Sequence, residues 1–203
     1  MAKIYFIGGS PCSGKSTVAE ALASKYGLYY FKVDDFLEKY TKQGAHKGCE
    51  ICKKQLEWNL EQIWMREPTL QCKEELQFYE EIFEFIIADL KDLGEAGSII
   101  TEGAAYLPHL IKRLNIPKNQ YISITPTREF QISHYKERDW IHIFLEGCSN
   151  REKAFDNWME RDCLFAECVI ESCLKQDYVS IINDGHKSIS EMIANVSAHF
   201  GLE

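Results

Sequence analysis

Ile4-Tyr5-Phe6-Ile7-Gly8-Gly9-Ser10-Pro11-Cys12-Ser13-Gly14-Lys15-Ser16-Thr17-Val18-Ala19-Glu20-Ala21-Leu22 decides the fold, because three signals follow one another without a gap. Ile4 to Ile7 is a short apolar run that reads as a buried strand. Thr17 to Ala23 is rich in good helix formers and sets Val18 and Leu22 four apart. Between them, Gly9 to Thr17 fills the phosphate-loop pattern G-x-x-x-x-G-K-[ST]. Strand, glycine loop and helix in this order separate a phosphate-binding loop from a chance glycine-rich turn.

The residue types follow from the chemistry. Gly9 and Gly14 admit backbone conformations closed to other residues, so the loop from Ser10 through Pro11, Cys12 and Ser13 can point its successive available N–H groups at a phosphate at the positive end of the next helix. Lys15 is expected to reach the β- and γ-phosphates, and the Ser16 hydroxyl to ligate Mg²⁺.

The 203 residues, 45% of them hydrophobic, suffice for one sizeable core, and one domain over 1–203 with inserted segments is expected rather than two. A net charge of −8 argues against nucleic acid as the main partner, which requires clustered Lys and Arg. A local basic pocket for phosphate remains compatible with that charge. There is no run long enough to span a bilayer and no signal-peptide pattern ahead of the first strand, so no membrane partner and a cytoplasmic location are expected. The eight cysteines then read as reduced thiols. His46, Cys49, Cys52 and Cys72 match no common zinc spacing, and Cys163, Cys168 and Cys173 read as small hydrophobes on one helix.

Apolar β-rich runs alternate with helical stretches, the pattern of a parallel sheet with helices on both faces. The strands are expected at 3–8, 29–33, 98–101, 121–124 and 178–182. A mostly helical insertion runs from about Glu38 to Leu93, broken near Pro68. Its second half carries Tyr79, Ile82, Phe83, Ile86, Ile87, Leu90 and Leu93 as a core-facing stripe. In its first half Trp58, Trp64 and Arg66 pack, or line an acceptor pocket. The polar stretch Thr41 to Gly48 reads as a mobile loop. A second insertion, from about 127 to 176, starts after Pro126 and concentrates Arg128, His134, Lys136, Arg138, Arg151 and Arg161 in an otherwise acidic chain. Such cations suit a lid over a transferring phosphate, and Arg138 and Arg161 are the candidates. Ser188-Ile189-Ser190-Glu191 is a capping box opening a last helix, with Ile189, Met192, Ile193, Val196 and Phe200 as its stripe and Gly201 as its stop.

Two carboxylates are expected at the carboxyl edge of the sheet, where ligands of such folds gather. Asp34, in Val33-Asp34-Asp35-Phe36, can orient or deprotonate an acceptor hydroxyl; holding Mg²⁺ through water, or capping the next helix with Asp35, are its alternatives. Glu102, in Thr101-Glu102-Gly103, can order metal-bound water, take the acceptor hydroxyl, or pair with a lid arginine. Asn183-Asp184-Gly185-His186 is a turn into the last helix.

These motifs resemble those of the P-loop kinases of the adenylate-kinase-like group. The resemblance implies an α/β fold, a three-layer doubly wound parallel five-stranded sheet in the order 2-3-1-4-5, with a helical acceptor-binding insertion and a lid. It implies ATP and Mg²⁺ as cofactors and a small-molecule acceptor as partner. Val33 to Phe36 looks like the strand-two signature of kinases that phosphorylate hydroxyls, such as uridine, shikimate and antibiotic kinases, and Thr101 to Gly103 is similar to the strand-three end of uridine kinases. His134 and Arg138 look like the lid pair in which one side chain stacks on adenine and an arginine meets the phosphates. Asn183 and Gly185 would lie against the base. The position of His134 usually holds arginine in that group, and the insertion matches no substrate-specific signature. A nucleoside monophosphate kinase would need several insertion arginines, where this chain has Arg66 alone, and a nucleotide-dependent switch would lack an acceptor altogether.

Overall fold

The computed structural model describes residues 3–93 and 97–202. Five strands, β1 (Ile4–Gly8), β2 (Tyr29–Lys32), β3 (Ile99–Glu102), β4 (Tyr121–Pro126) and β5 (Ser180–Asn183), form one parallel sheet in the order β2-β3-β1-β4-β5. Each lies within two residues of its expected position at either end, and Pro126 closes β4 as anticipated.

Side-chain alternation along the strands builds two cores. From β1, Tyr5 and Ile7 point toward α1 (Lys15–Tyr26) and α10 (Ile189–Phe200), where they join Val18, Leu22, Met192, Val196 and Phe200. Phe6 points the other way, into a cluster with Phe31, Ile99 and residues of α5 (Pro68–Asp92), α6 (Pro108–Arg113) and α9 (Arg151–Gln176). The inner strands β1, β3 and β4 are buried on both faces and have the near-continuous apolar character of parallel sheets, whereas the edge strands β2 and β5 are partly exposed, at Tyr29 and Ile182 among others.

The first insertion is α2 (Leu37–Lys47), α3 (Glu50–Glu57), α4 (Leu60–Trp64) and α5. Pro68 is the first residue of α5, where its missing N–H costs nothing. Tyr79, Ile82, Phe83, Ile86 and Leu90 are buried along α5 as the stripe requires. The expected loop Thr41–Gly48 is instead the body of α2 and its C-cap. Gly44 explains the misreading: a Cβ there would stand 2.4 Å from Cys52 Sγ, so this glycine serves close packing of α2 on α3 and not a turn.

The second insertion is α7 (Arg128–Lys136), α8 (Ile141–Leu145) and the first half of α9. Trp64, Tyr135, Ile141, Leu145, Trp158 and Met159 form a third apolar cluster. The second half of α9 belongs to the main core through Phe165, Val169 and Cys173, whereas Cys168 is exposed and does not pack as anticipated. In α10 the capping box of Ser188 and Glu191 forms, and Gly201 ends the helix in the left-handed region. Ile189 departs from the stripe: it is 42% exposed and lines a cavity described below.

Gly9 has φ +117°, and a Cβ on it would lie 1.8 Å from the Ile124 carbonyl oxygen. Both the backbone conformation and the close approach to β4 exclude a side chain. Gly9→Ala is therefore expected to cost about 3 kcal/mol or more, read as a lowered urea midpoint at unchanged slope. A midpoint equal to that of the parent protein would show that the loop does not depend on this contact.

Candidate active site

The phosphate loop leaves β1 and enters α1 at Gly14, which has φ +90°. Cys12 also lies in the left-handed region, at φ +60°, an unusual setting for a residue with a side chain and one that recurs at ligand-binding loops. Lys15 is buried inside the loop and donates to the Ser10 carbonyl at 2.7 Å, with Ser13 Oγ at 3.5 Å. Burial lowers the pKa of this ammonium, opposed by the charges of Glu102 and Asp34. A bound phosphate supplies the missing counter-charge and reverses that shift.

Glu102 ends β3 on the face that Ile100 shares, the α1 side, and this alternation aims it at the start of α1. Its Oε1 accepts from Ser16 Oγ at 3.0 Å and from the Tyr30 hydroxyl at 3.1 Å. Burial raises its pKa, with Lys15 the main opposing charge. No lid arginine pairs with it among the described residues. Asp34 sits in the 3-10 turn Val33–Phe36 that follows β2. The next helix has Phe36 at its N-cap with no side-chain cap, so neither Asp34 nor Asp35 caps it.

Pro11 to Thr17, Asp34, Glu102 and Arg138 line one cavity of about 390 Å³, together with Lys32, Tyr135 and Trp140. Gly9 and Ser10 do not line it, and Ser10 is fully buried. Arg138 is exposed just past α7; its Nη2 donates to Cys12 Sγ at 3.4 Å, and its guanidinium lies 5.0 Å from the Tyr135 ring centroid and 5.4 Å from that of Trp140. An adjoining cavity of about 330 Å³ is lined by Cys12, Gly14, Thr17, Phe130, His134, Arg138, Asn183, Gly185, Lys187, Ile189 and Met192. There Asn183 Nδ2 donates to the Ser13 carbonyl at 3.0 Å while its Oδ1 accepts from Gly185 N at 3.1 Å, so this side chain fastens the β5 turn to the phosphate loop. His134 stacks on Phe130 at 3.8 Å.

Arg161 corrects the sequence reading. It was expected on the lid, free to close on phosphate, but it is 8% exposed and held in ion pairs with Glu75 and Asp162. The cause is helical phase: Arg161 faces α5 and, with its neighbour Asp162, is buried, whereas Arg151, Glu152, Lys153, Asp156, Glu167, Glu171 and Lys175 of the same helix face solvent. Arg66 is likewise tied to Glu74 and lies over Trp58, and Trp64 stacks on Trp158, so this trio packs. Sequence reading missed Lys32, Tyr30, Phe130, Tyr135, Trp140 and Lys187. The spacing of Phe130 and His134, four apart on one helix, was the available signal for that pair.

Ser16 Oγ and the Glu102 carboxylate, with Asp34 on the same cavity, are hard oxygen donors suited to Mg²⁺. Among the described residues no group of three or more His, Cys, Asp or Glu converges as a self-sufficient metal site. That donor set fits an ion that completes its shell with phosphate and water.

No family model matches the chain. The chain is 38% identical over 48 residues to adenylate kinase isoenzyme 1 of Caenorhabditis elegans, a match covering 24% of this chain and 23% of that protein. It thus spans about a quarter of the length of this curated relative. Among solved structures, a presumed kinase from Chloroflexus aurantiacus aligns over 98% of both chains at TM-score 0.50 and 15% identity. The TT1252 protein from Thermus thermophilus aligns over 97% of both at TM-score 0.51 and 16% identity. The sheet order, the loop and these likenesses define the fold of the P-loop kinases of the adenylate-kinase-like group. Among the described residues no helix is long and apolar enough to cross a membrane.

Proposed function

We propose that this chain is an ATP- and Mg²⁺-dependent kinase that transfers the γ-phosphoryl group to a hydroxyl of a small metabolite, with 1–203 as a single kinase domain. The observation that carries the reading is the convergence of Lys15, Ser16, Glu102, Asp34 and Arg138 on one cavity. Lys15 and the loop amides neutralise charge on the transferring group, and Arg138 closes from the opposite side. Ser16, with Glu102 through water, would hold Mg²⁺, which supplies charge neutralisation of the β- and γ-phosphates when bound. Asp34 orients the acceptor hydroxyl and takes its proton. The base lies in the adjoining cavity, between His134–Phe130 and the turn containing Asn183 and Gly185.

The likeness to an adenylate kinase favours a nucleoside monophosphate as acceptor. Against this stands Arg66, the lone arginine of the first insertion, whose charge is already spent on Glu74. A phosphate acceptor also needs no base, which leaves Asp34 without a task.

A guanidinium forms paired hydrogen bonds to phosphate that an ammonium cannot copy. Arg138→Lys is therefore expected to lower transfer at least tenfold while changing ATP affinity little, about 1.4 kcal/mol of lost transition-state stabilisation. Binding of an ATP analogue with Mg²⁺ is expected to slow hydrogen exchange over residues 128–145. Unchanged exchange on binding, together with full activity of Arg138→Lys, would remove Arg138 from the reaction.

A further inference from the structure

Arg161 and Asp162 are adjacent, charged and buried, Asp162 to 1% exposure, and neither lines the two cavities of the site. Successive residues on a helix point about 100° apart, so one pair of neighbours on α9 can address two different helices. Arg161 Nη1 meets Glu75 Oε2 of α5 at 2.6 Å, and its Nε makes an ionic contact with Asp162 Oδ1 at 2.7 Å. Asp162 Oδ2 accepts from the Tyr135 hydroxyl of α7 at 3.1 Å. Tyr135 is buried, and its ring carries the Arg138 guanidinium, which in turn reaches Cys12 of the phosphate loop. Ion pairs, hydrogen bonds and a cation–π contact thus link α5 to the phosphate loop in sequence.

Stability alone does not account for this arrangement. Buried ion pairs lose in desolvation much of what they gain by attraction, and well-packed apolar residues often do as well. What they add is a fixed geometry. Here the fixed object is the Tyr135 ring, and an ångström of drift in that ring carries Arg138 away from the phosphates.

On the kinase reading above, we propose that Asp162 and Arg161 are positioning residues: through Tyr135 they hold Arg138 over the phosphate loop, and through Glu75 they tie that setting to the acceptor-side helix α5. Neither touches nucleotide. Tyr79, one turn beyond Glu75, is buried, and its phenol pKa is raised by burial first and then by the charges of Glu75 and Asp34.

The test uses the full chain and Tyr135→Phe, which keeps the ring and removes only the hydroxyl. At saturating ATP analogue with Mg²⁺, the slowing of hydrogen exchange over residues 128–138 is expected to fall several-fold in Tyr135→Phe while nucleotide affinity stays within about twofold. Adding Arg138→Lys to Tyr135→Phe is expected to cost less in ATP turnover than Arg138→Lys costs alone, because both act through one contact. Glu75→Gln, which keeps the side chain's size at partial burial, is expected to show the same non-additivity. Protection in Tyr135→Phe equal to the parent's, or losses that multiply across the double variant, would overturn the proposal. A parent protein that fails to bind Mg²⁺ and nucleotide would refute the kinase reading itself, and direct measurement of binding separates the two failures.

Discussion

Lys15→Met is expected to leave the chain folded and to lower phosphoryl transfer on the order of 10²-fold or more. The ammonium is enclosed by the loop, bonded to the Ser10 carbonyl, and its burial already disfavours the charged form. Methionine fills much of the same volume without that desolvation, so thermal stability is expected to hold or rise slightly. Catalysis loses the one full positive charge that the loop itself contributes. The lowered pKa has a second consequence. Phosphate favours the ammonium, so nucleotide binding takes up protons in the alkaline range where free Lys15 has begun to lose its own, and affinity weakens there with rising pH. In Lys15→Met that alkaline weakening is expected to vanish. A folded Lys15→Met protein with near-normal turnover would contradict the assignment of the loop.

Asp34→Asn is expected to depress transfer by about 10²- to 10⁴-fold with ATP affinity nearly unchanged. The carboxylate lines the same cavity as the loop, exposed and outside any helix cap, which leaves it available to an incoming hydroxyl. Asparagine keeps the shape and can still accept a hydrogen bond, but it cannot take the proton. Single-turnover rates at saturating acceptor, beside a nucleotide titration, check the split. Equal loss of ATP binding would assign Asp34 to the metal, and a stability loss without a rate effect would assign it to structure.

The parts of the site legible in the sequence are those where local chemistry and local conformation coincide. The glycine loop could be read because Gly9 and Gly14 occupy backbone regions that few other residues enter. Glu102 could be placed because a residue that ends a buried parallel strand points to the ligand edge. Helical phase was less accessible. Arg161 and Arg138 are both cations on the second insertion, and only tertiary packing determines that one is buried against Glu75 and the other faces the loop. Gly44 was misread for a similar reason, since a glycine that admits a neighbouring helix has the same sequence appearance as one that opens a turn. Tyr135 and Asp162 carried no local signal, because their relation spans 27 residues of chain.

The central claim is that the γ-phosphoryl group leaves ATP for a hydroxyl. The direct measurement is the fate of label from γ-labelled ATP incubated with the protein, Mg²⁺ and a pool of small hydroxyl-bearing metabolites, nucleosides and nucleoside monophosphates, with the Lys15→Met protein as control. The expected result is label in an acid-stable phosphomonoester of one pool component, formed by the parent protein and lost in Lys15→Met. Label confined to inorganic phosphate, or carried in the acid-labile anhydride of a nucleoside diphosphate, would contradict it.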